Sequence, residues 1–199
     1  MRERIAQLAA RLMAVEGVQD FALAKRKAAR QLGADDTQNL PNNLEIERAL
    51  RDYHQLYQHD EQRERVREMR RQALAVMHEL SLFDPHLTGP VLAGTATRYA
   101  DISLMLFTDS PKEVELFLLN RDIPYKYGEK RYRIGEKLHS VPVLTISGGE
   151  FDGVEAVIFS TAELRNTPRH ASDGRPVDKA RHAKVEALLE ANDKPQDLA

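Results

Sequence analysis

VLAGTATRYADISLMLF, residues 91–107, decides how the rest of the chain is read. Two apolar runs flank a turn that opens with Gly94-Thr95, and the second run is headed by an acid, Asp101. Glycine lets the backbone turn tightly and approach a phosphate closely, with amide donors and the Thr95 hydroxyl facing it. Arg98 follows within reach of the same anion and can bind it in a fork. This is a layout that sets a phosphate-gripping turn beside a metal-binding carboxylate. Two residues after Asp101, where a second carboxylate would share its face, stands Ser103.

The wider composition sets bounds on this motif. At 199 residues the chain can bury a real core, as one large domain or two small ones. Its 42% hydrophobic and 30% charged residues are those of an ordinary soluble protein. No stretch nears the roughly 20 apolar residues needed to cross a membrane. MRERIAQLAARLM has charges threaded through it and does not read as a secretory signal. The absence of cysteine excludes disulfides, thiolate metal sites and a thiol nucleophile, and fits a cytoplasmic setting. A net charge of -2 argues against a general nucleic-acid coat protein and leaves room only for a local basic patch.

The chain changes character near residue 84, giving an expected helical region, 1–83, and an α/β domain, 84–199. In the first, Ile5, Leu8, Leu12 and Val15 mark one helical face that stops at Gly17. Asp20 is expected to cap a second helix carrying Phe21, Leu23, Ala24, Ala28 and Leu32, closed by Gly33. After the loop ADDTQNLPNN, Asn43 reads as the next N-cap, with acids in the first turn. The long polar stretch that follows is expected to be two helices meeting near His59. Beyond DPHLTGP, strands alternate with helices. VLAG reads as a short strand, ISLMLF (102–107) as a second, and SPKEVELFLLN (110–120) as a helix. That helix would have Ser110 and Glu113 as a capping box and Pro111 in first position. RYRI reads as an edge strand, and VPVLTIS with VEAVIFS, joined by GGEFDG, as a hairpin. A final helix is expected over about 178–191, before a polar tail.

Strand periodicity then places the chemistry. Asp101, Ser103 and Met105 share one face, with Ile102, Leu104 and Leu106 on the other. Glu155 shares a face with Gly153 and Val157. If the two strands are neighbours, Asp101 and Glu155 converge, and paired carboxylates with phosphate oxygens make a fair site for magnesium. Asp109 is too far to join them, eight residues of strand or roughly 26 Å away.

The order VLAGTATRYADISL resembles the signature of the nucleotidyltransferase superfamily related to DNA polymerase beta, over roughly residues 88–160. That signature is a strand, Gly-Ser or Gly-Gly, a short helix, Asp-x-Asp or Asp-x-Glu on the next strand, and a third acid on a later strand. Gly94 and Thr95 match the Gly-Ser pair, Asp101 the first acid and Glu155 the third; Ser103 departs from the second. The resemblance implies an α+β fold, with the helical N-terminal region packed on a nucleotidyltransferase-like mixed sheet. It implies magnesium held by Asp101 and Glu155, and a nucleoside triphosphate held by Gly94, Thr95 and Arg98. A nucleotidyl group would pass to a hydroxyl acceptor that the sequence does not name. Loss of the second acid keeps open a degenerate, nucleotide- or protein-binding module. A third class, a partner-binding or self-associating protein, would carry its exposed apolar surface on the N-terminal helices.

Two further stretches carry alternatives. Lys126, Lys130, Arg131 and Arg133 lie among Tyr125, Tyr127 and Tyr132, which suits phosphate and base stacking or a charge-protected edge strand equally. HASDGRPVDKA (170–180) reads as a surface loop, with a phosphate contact through Arg175 and Lys179 as the alternative.

Overall fold

The computed structural model describes residues 1–34, 39–57 and 59–193; parts of the expected loop at 34–43 and of the expected polar tail lie outside these. The chain is an α+β protein with a helical N-terminal region and a mixed seven-stranded sheet. Its contacts divide it into two compact units, Met1–Val66 with Gly94–Ala100, and Arg67–Ala93 with Asp101–Ala199.

The first unit is built on α1 (Arg2–Glu16), α2 (Phe21–Gln31), α3 (Asn43–Tyr57) and the opening turns of α4 (His59–Glu79). Gly17 ends α1 in the left-handed region, at φ 74. Asp20 caps α2 by accepting the Leu23 amide at 2.7 Å. The cap of α3 falls one residue before the expected Asn43. The Asn42 side chain accepts from the Glu45 amide at 2.9 Å, and the Asn42 amide donates to the Glu45 carboxylate at 2.6 Å. Arg2 grips the same carboxylate through two bonds of 2.8 and 2.7 Å, and this fork, with the Asn42 amide, holds the Glu45 carboxyl down to about 2.

Alanines fill this core: Ala6, Ala9, Ala10 and Ala14 of α1 and Ala24, Ala28 and Ala29 of α2 surround Ile5, Leu12, Met13, Ile46 and Leu50. The expected stripe on α1 is therefore too narrow. Because α1 packs against both α2 and α3, its buried arc swings toward the alanines and leaves Val15 40% exposed. Small side chains at the contact let helix axes come close, which periodicity of large residues alone does not register.

The second unit holds the sheet. Its strands are β1 (His86–Thr88), β2 (Ile102–Phe107), β3 (Tyr125–Ile134), β4 (Lys137–Ile146), β5 (Val154–Phe159), β6 (Arg169–His170) and β7 (Lys179–Ala180), in the order β6-β3-β4-β5-β2-β1-β7. The helices α5 (Gly89–Ala93), α6 (Pro111–Leu119) and α7 (His182–Asp193) complete it. Only β2 and β5 pair in parallel; the other ladders are antiparallel. The expected β4–β5 hairpin forms, with Val143 opposite Val157 and Ile146 opposite Val154.

Three local expectations are corrected. VLAG is not a strand: the strand is His86–Thr88, and residues 89–93 form α5. Gly89 at φ 69 breaks the extended backbone, and Pro90 suits a first helical turn. Arg70 of α4 then donates to the carbonyls of Val91 and Leu92 at 3.1 and 3.0 Å, satisfying the end of α5 from 21 and 22 residues away. RYRI is the end of a ten-residue strand whose hairpin to β4 turns on Gly135-Glu136, and residues 132 and 133 pair outward with β6. Ser110 makes no side-chain cap on α6; Glu113 instead accepts from the Thr108 hydroxyl at 3.3 Å.

Gly17 tests the first unit. A Cβ there would meet the Tyr99 ring at 2.5 Å, in a backbone conformation that side chains disfavour. Gly17→Ala should lower stability by about 1–2 kcal/mol, read as a lower urea midpoint with an unchanged slope. An unshifted midpoint would mean that neither the left-handed turn nor the ring contact matters.

Candidate functional site

The acidic pair is assembled by one ladder. The Ile102 amide donates to the Gly153 carbonyl at 2.8 Å, and the parallel register sets Ile102 beside Val154 and Ser103 beside Glu155. Asp101 therefore stands next to Gly153, and a Cβ on that glycine would lie 3.7 Å from the Asp101 Oδ1. Along each strand every residue is buried except the second, Ser103 in β2 and Glu155 in β5. The one polar interruption in each apolar run thus falls opposite the other. The arrangement joins Asp101 and Glu155 on one face, as the sequence led us to expect.

That face is shared across the sheet. Thr88 pairs with Ser103 on one side, and Thr145 with Glu155 on the other. Toward the far end of the strands the same face becomes apolar, with Met105, Phe107, Val141, Val143, Val157 and Phe159 packed together. The acids sit at its polar margin. Burial, then the neighbouring Glu155 charge, pushes the Asp101 carboxyl above its ordinary value, and Lys130 opposes the shift. Lys130 of β3 forms an ion pair with Glu155, whose side chain is only 17% exposed. Tyr132, on the same face, is pushed up to about 12 by burial and by the Glu155 charge.

Strand alternation sorts the basic and aromatic stretch that the sequence singled out. Lys126, Lys130 and Tyr132 lie on the face of the acids, in register with Thr145, Val141 and His139. Tyr125, Tyr127, Arg131 and Arg133 occupy the opposite face, where Tyr125 donates to Glu115 of α6 at 2.9 Å. Sequence reasoning named Lys130 only as one of a cluster; the missing step was the β3–β4 hairpin that fixes its parity. The loop at 170–180 spends its cations internally. Arg175 pairs with Asp173 at 2.8 Å, and Lys179 donates to the Leu164 carbonyl at 3.0 Å while lying over Phe107.

The Ser103 Oγ lies 3.3 Å from the place a Cβ on Gly89 would occupy, a close approach that a side chain at position 89 would disturb. Among the described residues the Ser103 side chain makes no hydrogen bond, and no group of three or more His, Cys, Asp or Glu stands together as a metal cluster. Asp101 and Glu155 share the face, and the charge of a third carboxylate, Asp152, also pushes the Asp101 carboxyl up.

Gly94, Thr95 and Arg98 belong to the first unit. Gly94 takes φ 75, and Gln62 of α4 donates to the carbonyls of Gly94 and Ala96 at 3.3 and 2.8 Å. Arg98 donates to the Val15 carbonyl at 3.1 Å and lies over the Tyr99 ring, and Gln19 donates to the Tyr99 carbonyl. Thr95 is buried.

No family model, no curated protein and no solved structure matches the chain. Among the described residues no helix is long and apolar enough to cross a membrane.

The crowding of Asp101 has a sign that can be measured. Its carboxyl is raised from an ordinary value of 3.8, so the folded chain holds that proton more tightly than the unfolded chain does. Stability contributed here therefore falls as pH rises through that window. Asp101→Asn should melt higher than the parent at neutral pH in metal-free buffer, and the difference should shrink as pH falls toward the ordinary carboxylate range. A lower melting temperature at neutral pH would mean that Asp101 makes a stabilising contact instead.

Proposed function

We propose that this chain is a nucleotidyltransferase-like protein, acting in the cytoplasm, that passes a nucleotidyl group from a nucleoside triphosphate to a hydroxyl acceptor. The observation that carries the reading is the parallel β2–β5 pairing, which puts Asp101 next to Gly153, two residues from Glu155 on the same face of the sheet. The lack of cysteine supports the setting.

The donor set fits a hard divalent cation such as magnesium. It is all oxygen, and the Asp101 carboxyl is raised first by burial and then by the neighbouring Glu155 charge, which a cation would offset. With only two side-chain ligands, the rest of the shell falls to water and to phosphate oxygens. Magnesium held by Asp101 and Glu155 would supply charge neutralisation for the phosphates. In the transfer, the acceptor oxygen bonds to the α-phosphorus, the bond to the β-phosphate oxygen breaks, and pyrophosphate leaves. Lys130 offsets negative charge at Glu155. Gly94, Thr95 and Arg98 are assigned to the triphosphate.

Ser103 favours a second reading, in which the fold binds nucleotide and does not transfer it. A neutral hydroxyl is a poor metal ligand.

Calorimetric titration of each triphosphate with and without magnesium, on the parent and on Asp101→Asn, separates the two. Transfer chemistry expects magnesium-dependent binding that is lost in Asp101→Asn while the fold remains. Binding indifferent to magnesium and to Asp101 would favour the second reading, and no binding of any triphosphate would remove both.

A further inference from the structure

β3 pairs with β4 along its whole length, from Tyr125 opposite Ile146 to Ile134 opposite Lys137. On its other side β6 covers only Tyr132 and Arg133. Residues 125–131 are therefore an edge of the sheet among the described residues, and no residue of β3 is buried.

The hairpin fixes what that edge presents. A two-residue turn closes on a hydrogen-bonded pair, here Ile134 with Lys137, and such pairs alternate along an antiparallel ladder. The even residues from 126 to 134 thus turn their backbone groups toward β4, and the odd ones turn theirs outward. Arg133 meets Arg169 of β6 in this way, and Tyr125, Tyr127, Glu129 and Arg131 form the open row. The register with β4 runs without a bulge and β3 has no proline, so two devices that commonly blunt an edge are missing. The device it does carry is charge.

Charge selects the occupant. Lys126 and Lys130 stand on one face, and Arg131 and Arg133 on the other, with Arg169 directly beside Arg133. The neighbouring acids are engaged: Glu129 accepts from Ser140 and Tyr127, Glu115 accepts from Tyr125, and Glu155 pairs with Lys130. A second copy pairing antiparallel across this edge meets itself badly. Centred on Gly128 it sets Lys126 opposite Lys130, and centred on Glu129 it sets that acid opposite its own copy. Like charges directly opposite are destabilising, and opposite charges there are favourable. Between the two lysines Gly128 has no side chain, and the nearest atom to a Cβ built there is the Val143 carbonyl oxygen at 4.0 Å. Such a gap suits an aromatic ring laid across from the next strand.

We infer that the β3 edge takes an extended acidic segment of a partner protein as an added strand. Acids lie opposite Lys126 and Lys130, and an aromatic residue lies between them opposite Gly128. Main-chain bonds to the odd residues supply affinity, and the alternating side chains supply specificity. Nothing in this surface depends on transfer at the acidic pair.

The test titrates the capped peptide EETFTEV into the full chain by calorimetry and follows amide hydrogen exchange. Lying antiparallel, this peptide sets glutamates opposite Arg131, Lys130 and Lys126, and its phenylalanine opposite Gly128. It should bind and slow exchange at Tyr125, Tyr127, Glu129 and Arg131, leaving Lys126, Gly128 and Lys130 nearly unchanged. The lysine counterpart KKTFTKV should bind about tenfold more weakly or worse. Tyr127→Pro deletes one outward amide and spares the ladder to β4; it should weaken binding by about tenfold, whereas Tyr127→Ala, which keeps that amide, should bind nearly like the parent. Arg131→Glu alters no backbone group and should also bind more weakly, which guards against a proline variant that does not fold. A parent that does not bind, equal affinity for the two peptides, or binding that leaves the four amides unprotected overturns the inference. So does a dimer seen by sedimentation without peptide that protects the same four amides, since a second copy then holds the edge.

Discussion

The pairing of β2 with β5 is the constraint on which the acidic site depends. A strand slipped by one residue presents every side chain to the wrong face, so the register has to be enforced. Here it is enforced from both sides of the sheet. Ile102, Leu104 and Leu106 with Val154, Ala156 and Ile158 are buried on one face, while Met105, Phe107, Val157 and Phe159 are buried on the other. Parallel strands covered on both faces read as continuous apolar runs. Within such runs Ser103 and Glu155 stand out, and the register makes them neighbours. Moving either strand by one position would put Glu155 among the aliphatic side chains of the opposite face. The cost of burying an unpaired charge there is what holds the carboxylate in place.

Holding two acids close has its own cost, and the site offsets part of it. Lys130 reaches Glu155 from β3, across the intervening β4, and the Asp101 carboxyl is raised first by burial and then by the Glu155 charge. An acid at position 103 would add another like charge to the same margin. Serine avoids that charge at the expense of a metal ligand. On the proposed reading, the balance between a tolerable resting state and a fuller ligand set is local to this one position. Sites that perform chemistry commonly carry such destabilising arrangements.

Much of this was legible in the chain. Gly17, Asp20 and the period of the apolar residues mark α1 and α2; the run 102–107 marks β2; and the turn residues 148–153 mark the β4–β5 hairpin. Those signals are local, and they were read correctly because nothing distant contradicts them. VLAG was misread because four apolar and small residues suit a strand or a helix, and the group that decides is Arg70, a donor more than twenty positions away. The β3–β4 hairpin was missed because Gly135-Glu136 lacks the Asn-Gly or Asp-Gly signature that makes such turns conspicuous. With that hairpin unseen, the side of the sheet that Lys130 faces had no basis. The convergence of Asp101 and Glu155 could be stated only as a condition, since sequence periodicity gives faces and not neighbours.

The same limit explains why the helical region entered the reading of the sequence only as the surface of a partner-binding or self-associating protein. Its residues carry no catalytic signature, and their spacing reports only helices. Yet the turn at 94–100 is fastened by that region at four points: Gln62 on two carbonyls, Gln19 on the Tyr99 carbonyl, the Val15 carbonyl on Arg98, and Gly17 leaving room for the Tyr99 ring. A glycine-headed turn is flexible by composition. Unfastened, it would sample many conformations, and an anion would have to order it on binding. Fastened through its carbonyls, the turn is held in one conformation by side chains of the helices. Preorganisation of this kind raises affinity by removing a conformational cost rather than by adding contacts. On this argument the helices of the first unit act as the frame that gives the Gly94-Thr95 turn a fixed shape.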